Sequence, residues 1–308
     1  MINYLEHNAI DKTKWDALIA RCGNIYARSW YLDLVHPGWE ALVEDDYQAV
    51  MPLTGGKKFG IHYLFQPYFA QQLGVFAPAP VSRTTTEAFL DAIPKKYRFA
   101  EIRLNESDAI GEDVKGVDYH RNVLLDLNQD YETIRAQYHQ NTRRNLAKAE
   151  SSNLQLVDTV IPYHVVALFR DNRGASLDKW GDAEYARLTR LAQAAINHKN
   201  AFILGVSEKG VGQLLSAAIF MKTDDRITFL FSGLAEAGKQ CQAMTYLLDQ
   251  VIKNHAKQPV TFDFEGSDDD NLARFYLGFG GTEAPYPSYT FNRLSPVAKA
   301  LLKVWKRR

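Results

Sequence analysis

Two carboxylates at the end of an alternating segment could serve acid–base chemistry. Residues 260–265 alternate apolar and polar side chains, which predicts a strand with Asp263 and Glu265 on one face. Either carboxylate could orient or deprotonate an incoming amine if burial raised its pKa towards neutrality. Solvated or salt-bridged carboxylates are the alternative. We interpret the following Asp268, Asp269 and Asp270 as a helix cap, because oxygen acceptors and negative charge stabilise a helix start. A cation site is the alternative.

Basic side chains recur every four residues in segment 131–150. Arg135, His139 and Arg143 form one series, and Arg144 and Lys148 form another. On one continuous helix they would make a basic stripe. Guanidinium groups match the oxygens of a diphosphate or a carboxylate, so Arg143, Arg144 and Lys148 are candidate acceptor-binding residues. A solvated helix face is the alternative.

A polar loop bounded by Pro67 offers a second set of acceptor-binding candidates. Gln66, Tyr68 and Gln71 precede Leu73 in this loop. Amide side chains both donate and accept hydrogen bonds, which suits a peptide or a sugar. A plain surface loop is the alternative.

The segment 232–240, SGLAEAGKQ, is predicted to join a strand to a helix start. The free backbone N–H groups of a helix start and its positive dipole suit a phosphate or pyrophosphate. An ordinary strand–helix connection is the alternative. The candidate donor-binding residues are Ser232, Gly233, Gly238, Lys239 and Gln240.

The elements that must position these residues follow the same order in both halves of the chain. The first half contains strand patterns at 39–44, 47–53 and 61–66, a helix at 85–93, and strands at 99–104 and 122–127. The second half contains strands at 201–207, 211–221 and 226–232, a helix at 241–255, a strand at 260–264, a short helix and a strand at 289–294. The helix at 241–255 carries one apolar stripe of Met244, Leu247, Leu248 and Val251. This order predicts a mixed α/β (α+β) fold in two copies, with domains at 1–127 and 128–294.

The last residues, 295–308, contain the amphipathic sequence VAKALLKVWKRR. We predict a basic helix that docks its apolar stripe on the N-terminal domain. Weak contact with an anionic membrane surface is the alternative.

Several segments together resemble one family. Residues 271–280, NLARFYLGFG, resemble the N-x-x-A-x-x-F-Y-x-x-G-F segment of GNAT-fold acyltransferases, although two residues shorter at the start. They are also similar to the F-K-x-x-F-G segment of the Fem family, the tandem GNAT-like aminoacyltransferases of peptidoglycan synthesis. Further matches occur in the right order at 50–53, 66–74, 141–149 and 262–266. Tyr276 stands where the Fem pattern has a lysine, which weighs against transfer RNA-dependent chemistry and leaves GNAT-like acyl transfer open.

The resemblance implies two tandem GNAT-like (acyl-CoA N-acyltransferase) domains, each a mostly antiparallel mixed sheet flanked by helices, with the acceptor in a cleft between the halves. It implies an N-acyltransferase with acyl-coenzyme A or aminoacyl-tRNA as donor and an amine, peptide or muropeptide as acceptor. In GNAT enzymes a tyrosine at the position of Tyr276 protonates the departing thiolate, so Tyr276, Asp263 and Glu265 are the predicted catalytic residues. Residues 238–243 lack the second glycine of the GNAT coenzyme A loop. A non-catalytic ligand-binding or scaffold protein with this fold is the alternative.

The charge balance and the composition indicate which partners and which cellular compartment to expect for this protein. The 308 residues include 36 Lys plus Arg and 36 Asp plus Glu, and this balance weighs against duplex DNA as a partner. The two cysteines, Cys22 and Cys241, lie far apart, which fits a reducing compartment. Without a visible signal peptide or an apolar run of about 20 residues, we expect a soluble cytoplasmic protein. We predict no metal site, because no histidine or cysteine stands at ligand spacing near the three aspartates.

Overall fold

The computed structural model describes residues 1–111, 113–172, 174, 180–266 and 268–294. The chain forms two compact units, which we call unit one and unit two. Unit one contains Met1–His120 and the segment that begins at Tyr286, and unit two is Arg121–Pro285. The predicted C-terminal helix at 295–308 lies outside the described residues.

Unit one contains two sheets. A three-stranded antiparallel sheet has the order β1-β2-β3. A five-stranded sheet has the order β4-β5-β6-β15-β7, where β15 is Tyr286–Asn292 and only β5 and β6 are parallel. Phe89 of α3 is fully buried in its core, and Ser82 caps α3 by accepting from the N–H of Thr85. In chain order the elements before the crossing to unit two are β1 (Ile2–Leu5), a 3-10 helix (His7–Ala9), α1 (Lys12–Arg21), α2 (Ser29–Val35), β2 (Glu40–Glu44), β3 (Ala49–Leu53), β4 (Gly55–Lys58), β5 (Ile61–Phe65), α3 (Arg83–Asp91), β6 (Tyr97–Arg103) and β7 (Val117–His120).

Unit two contains one seven-stranded sheet with the order β14-β8-β13-β12-β11-β10-β9. Only β12 and β13 pair in parallel. The elements are β8 (Val123–Asp126), α4 (Tyr131–Ala136), α5 (Gln140–Glu150), β9 (Leu154–Val157), α6 (Pro162–Arg170), α7 (Asp182–Asn197), β10 (Ala201–Glu208), β11 (Leu214–Lys222), β12 (Arg226–Leu234), α8 (Glu236–Gln240), α9 (Ala243–His255), β13 (Thr261–Asp263), α10 (Asp270–Leu277) and β14 (Thr282–Glu283), after which β15 (Tyr286–Asn292) returns to unit one.

The sheets confirm the predicted mixed, mostly antiparallel fold class. The apolar stripe predicted for the long helix of the second half, with Leu247, Leu248 and Val251, is fully buried in the core of unit two. The helix itself begins at Ala243 rather than at 241, because Gln242 adopts a left-handed conformation with φ 59° and separates α8 from α9.

In each unit, one strand inserts between two strands that are not its neighbours in the sequence. The boundaries of the two units therefore differ from the domain boundaries predicted at 127 and 294. β8 inserts between β13 and β14 of unit two, although residues 122–127 were assigned to the first domain. β15 inserts between β6 and β7 of unit one, although 289–294 was assigned to the second domain. Strand order depends on pairing between distant segments, and the local alternation that predicts a strand does not identify its neighbours.

Gly116 provides a test of the insertion of β15. Its φ is +90°, and a Cβ atom there would lie 2.0 Å from the carbonyl oxygen of Thr290 on β15. We expect Gly116→Ala to lower the free energy of unfolding by about 2–4 kcal/mol, since it combines left-handed strain with a collision against backbone. Chemical denaturation measures this loss.

The matched control is Gly60→Ala, because Gly60 has a similar φ of +78° and nothing lies within 4 Å of the position that a Cβ atom would take there. Backbone strain alone should lower the free energy of unfolding of this variant by about 1 kcal/mol. Equal losses in the two variants would contradict the tight contact between Gly116 and β15.

Candidate active site

The parallel pair of unit two separates part-way along its length. β12 and β13 pair from Arg226 opposite Thr261 to Thr228 opposite Asp263, where β13 ends. Past that point β12 carries a bulge at Leu230, since Phe229 pairs with Phe220 and Phe231 pairs with Ile219. In the described part of the chain no strand pairs with the second edge of β12 after Thr228. A bulge next to a gap in a sheet presents main-chain N–H and C=O groups to a ligand.

Tyr276 lies where the two strands separate. Its ring contacts the rings of Phe229 on β12 and Phe264 just after β13, with centroid distances of 6.2 and 5.2 Å. It is 7% exposed and belongs to the aromatic core of unit two. Asp269 accepts from the N–H groups of Asn271 and Leu272 and so begins α10, which carries this tyrosine. The helix-cap interpretation of the aspartates is therefore confirmed at Asp269, and its role is to fix the start of the helix that places Tyr276.

The two predicted catalytic carboxylates do not share a strand face. β13 ends at Asp263, and Glu265 has a left-handed φ of 53°. Asp263 is 1% exposed and forms a 2.8 Å ion pair with Arg226. The N–H of Glu265 donates to the other carboxylate oxygen of Asp263. The expectation of one common face was wrong, because the chain turns sharply after Asp263 and uses this carboxylate to bond the turn.

The predicted donor-binding residues are spread over a strand and a short helix. Ser232 and Gly233 lie within β12, which continues to Leu234. A Cβ atom at Gly233 would lie 2.7 Å from the amide nitrogen of Phe169, so the glycine permits α6 to pack closely on the sheet. A Cβ at Gly238 would lie 2.2 Å from the carbonyl oxygen of Leu215. Close packing accounts for both glycines, and their role in donor binding stays a prediction.

The other two candidates of this segment lie on α8. Lys239 pairs with Glu236 at 2.7 Å, and Gln240 is exposed at the end of the helix. The predicted single strand–helix connection is thus replaced by the short helix α8, a left-handed residue and α9.

The basic stripe is not one helix face. The helix predicted over 131–150 is interrupted between Ala136 and Gln140, and the hydroxyl of Tyr138 in this break donates to Asp249 at 3.2 Å. Arg135 instead pairs with Glu150 at 3.2 Å. The expectation of a continuous stripe was wrong, because tertiary hydrogen bonds fix the break.

Asp249 is a buried polar residue that the sequence analysis did not single out. It lies on the buried face of α9 and accepts hydrogen bonds from the hydroxyls of Tyr131 at 2.8 Å and Tyr138. Burial raises the pKa of this carboxyl, and the two phenol hydrogen bonds oppose the shift. A lone aspartate within an apolar helical stripe was the available signal. Through its two phenol hydrogen bonds, Asp249 connects α9 to α4 and to the break that follows α4.

Arg143, Arg144 and Lys148 remain together on α5, where all three are exposed. The first two line an open concavity of about 530 Å³ together with Gln140 and Asn141. Arg144 also donates to Asn141 at 2.7 Å, which preorders its guanidinium group. The concavity offers two guanidinium groups and two amides to an anionic ligand.

The start of α5 is fixed to the end of α10. The N–H of His139 donates to the carbonyl oxygen of Gly278 at 2.9 Å. A Cβ at Gly278 would lie 2.3 Å from the hydroxyl oxygen of Thr142, which is buried. The helix carrying Tyr276 and the helix carrying Arg143 and Arg144 are therefore anchored to each other within unit two.

Solved structures share this architecture. A structure of FemX is similar over 92% of this chain and 97% of its own, with a TM-score of 0.65 and 12% identity. The structure of L-PGS from Bacillus licheniformis is similar over 96% of each chain, with a TM-score of 0.57 and 12% identity. The C-terminal domain of a putative lysylphosphatidylglycerol synthetase from Agrobacterium fabrum covers 96% of this chain and 95% of its own, with a TM-score of 0.52 and 12% identity. No protein-family model and no curated protein sequence matches the chain.

The chain has the Fem-like tandem GNAT fold. This result confirms the family resemblance at the level of fold. Among the helices that the structure describes, none is long and apolar enough to cross a membrane.

In the described residues, each unit of this Fem-like fold contains one parallel pair of strands. In unit one, the segment that follows β5 forms hydrogen bonds with the end of this pair. Gln66 accepts from the N–H of Arg103 at 3.0 Å and donates to the carbonyl oxygen of Ala70 at 2.7 Å. The N–H of Leu73 donates to the carbonyl oxygen of Arg103. The cavity beside these residues measures about 10 Å³, which is at most the space that one water molecule needs.

The candidate acceptor residues of unit one therefore have different surroundings. Gln66 makes the internal bonds just described. Gln71 is 8% exposed and accepts from the side chain of Gln72 at 2.9 Å. Tyr68 is 44% exposed. Their role in acceptor binding stays a prediction, and the structure gives Gln66 a role in closing the end of the β5–β6 pair.

Asp108 ties this closing segment to the loop after β6. One carboxylate oxygen accepts from the N–H groups of Val75 and Asn105 at 3.1 and 3.0 Å. The other oxygen is buried and has no hydrogen-bond partner among the residues that the structure describes. Burial raises the pKa of this carboxyl to about 7, with the two backbone hydrogen bonds opposing the shift.

Asp108 makes stability depend on pH. Because its pKa in the folded chain lies above the ordinary value of 3.8, the folded state binds the proton more tightly than the unfolded state. Its contribution to stability is complete below about pH 4 and falls by up to about 1.4 kcal/mol per pH unit as the pH rises to about 7. We expect Asp108→Asn to flatten this part of the profile, measured by urea unfolding between pH 4 and 8.

The exposed Asp91 of the same unit supplies the control, and Asp91→Asn should keep the wild-type slope. A wild-type slope in Asp108→Asn would show that Asp108 does not titrate in this range.

Substitution of Asp263, which forms an ion pair with Arg226, tests whether this carboxylate has a structural or a catalytic role. Asp263→Asn removes a buried charge partner of Arg226, and we expect the free energy of unfolding to fall by about 2 kcal/mol. Glu265→Gln, at a half-buried position, should cost less than about 1 kcal/mol. Thermal and urea unfolding measure both losses. Full stability in Asp263→Asn together with lost turnover would instead assign Asp263 to the reaction.

Proposed function

We propose that this chain is an acyltransferase that moves an acyl or aminoacyl group from an activated carrier to an amine. The carrier is a thioester such as acyl-coenzyme A or an aminoacyl ester such as aminoacyl-tRNA. The acceptor is a small amine, a peptide or a muropeptide of the cell envelope. The Fem and GNAT resemblance supports the class of reaction, and unit two supports its location.

The observation that carries the proposal is the separation of β12 from β13 with Tyr276 between them. The edge of β12 after Thr228 offers main-chain groups to an extended donor, in the manner of an added strand. The ring of Tyr276 contacts an aromatic ring from each side of the separation. A carbonyl group held along this edge would lie beside the phenol.

The proposed reaction needs few groups because the donor already has a good leaving group. The amine nitrogen attacks the carbonyl carbon, and backbone N–H groups of the open β12 edge stabilise the oxyanion. The new C–N bond forms as the C–S or C–O bond breaks. Tyr276 gives its proton to the departing thiolate or alkoxide. The attacking nitrogen loses one proton as the neutral amide forms, and the phenolate recovers that proton through solvent. Alignment of donor and amine supplies much of the remaining acceleration.

The concavity on α5 is the proposed place for an anionic part of the acceptor. Arg143 and Arg144 are exposed there and are joined through α5 to the end of α10. A carboxylate or diphosphate bound by these guanidinium groups would hold the acceptor near the helix that carries Tyr276.

Tyr276→Phe tests the proposed acid. We expect turnover to fall at least tenfold while the unfolding midpoint stays close to that of the wild type, because only a hydroxyl is removed. The full chain is incubated with acetyl-coenzyme A or an aminoacyl ester and a panel of amines that includes nucleotide-linked muropeptides. Release of free thiol, or of free transfer RNA, measures turnover.

The matched control is Tyr246→Phe, because Tyr246 is a partly buried tyrosine of the same unit on α9. This variant should keep wild-type turnover. Unchanged turnover in Tyr276→Phe would remove the assigned acid. Thermal stabilisation of the chain by a donor, with no product from any amine, would favour the alternative of a non-catalytic ligand-binding or scaffold protein.

A further inference from the structure

The β4–β5 hairpin of unit one ends in an exposed aromatic residue. Lys58 is the register partner of Ile61, so Phe59 and Gly60 form a two-residue turn, with φ values of 50° and 78°. Positive φ at both positions is typical of a type I′ turn, for which Asn-Gly is the favoured pair. The side chain of Phe59 is 89% exposed.

Phenylalanine at this position lowers the stability of the folded chain in two ways. A bulky side chain strains a left-handed backbone, and a fully exposed ring gains nothing from burial. Strained conformations without a packing benefit are typical of positions that act in recognition. The ring of Phe59 is therefore best explained by a contact with something outside the folded chain.

The charges around Phe59 indicate the chemistry of its partner. Lys57 and Lys58 precede it on the exposed end of β4, and the ammonium group of Lys58 lies 5.7 Å from the centre of the ring. No aspartate or glutamate stands between Asp46 and Glu87 in the sequence. Basic side chains that flank a protruding aromatic ring match an anionic bilayer surface, where the ring enters the headgroup region and the ammonium groups meet lipid phosphates.

We propose that the hairpin tip formed by Lys57, Lys58, Phe59 and Gly60 docks this protein on anionic lipid bilayers. Each lysine strengthens such binding about fivefold, so the contact is weak and reversible. A nucleic acid is a poorer match, because binding to its backbone normally needs many more phosphate contacts than two lysines supply. This proposal does not depend on the proposed acyl transfer.

Vesicle sedimentation with the full chain tests the hairpin tip. The probes are vesicles of phosphatidylcholine alone and vesicles of equal parts phosphatidylcholine and phosphatidylglycerol. We expect binding to the second kind only. Phe59→Asn should lower the partition coefficient about tenfold. It should also fold at least as stably as the wild type, because asparagine suits the left-handed position, and thermal unfolding checks this. Replacing both lysines by glutamine should lower binding roughly twenty- to thirtyfold.

The matched control is Val211→Asn, which changes an exposed apolar residue, 59% exposed, between β10 and β11 of unit two. It should bind vesicles like the wild type. The proposal is overturned if the wild type does not bind, if it binds both kinds of vesicle equally, or if Phe59→Asn binds as tightly as the wild type. An oligouridine probe that binds the wild type but not Phe59→Asn, while vesicles bind neither, would assign the tip to RNA instead.

Discussion

The insertion of β8 between β13 and β14 is the constraint on which the proposed site depends. Leu124 pairs with Asp263 on one side and with Thr282 on the other. Because β8 occupies the place next to β13, the chain must cross over β8 before it can form β14, and α10 is that crossing. The crossing brings Tyr276 against Phe229 and Phe264, where β12 and β13 separate. A strand at the start of unit two, far from α10 in the sequence, therefore determines where the candidate acid lies.

The two parallel strand pairs of the fold differ in what bonds to their main-chain groups where the strands separate. An unpaired main-chain group that is shielded from water is costly, so a sheet that separates needs a substitute partner. Unit one supplies one from its own chain, since Gln66 and Leu73 bond both main-chain groups of Arg103. For unit two, the described residues include no strand that continues the pairing of β12 after Thr228. This contrast is the physical reason for placing the proposed donor in unit two.

Three buried carboxylates illustrate how the same cost of burying charge is met in different ways. Asp263 has a guanidinium partner in Arg226 at 2.8 Å. Asp249 accepts from two phenols, and Asp108 accepts from two backbone amides. Within the described ranges of the chain, neither carboxylate forms an ion pair. Burial accordingly raises the pKa of both. These differences arise from tertiary neighbours, because no local pattern distinguishes the three aspartates.

Interactions between residues close in the sequence were enough to predict the order and type of most elements, the cap of α10 at Asp269 and the buried stripe of α9. Alternation, helical spacing and capping act within a few residues, and tertiary packing preserved them here. Only the tertiary structure decided the neighbours of β8 and β15, the break between α4 and α5, and the engagement of Asp263 by Arg226. Each of these depends on a partner from a distant part of the chain, and strand pairing or a buried hydrogen bond leaves no periodic signal in the sequence.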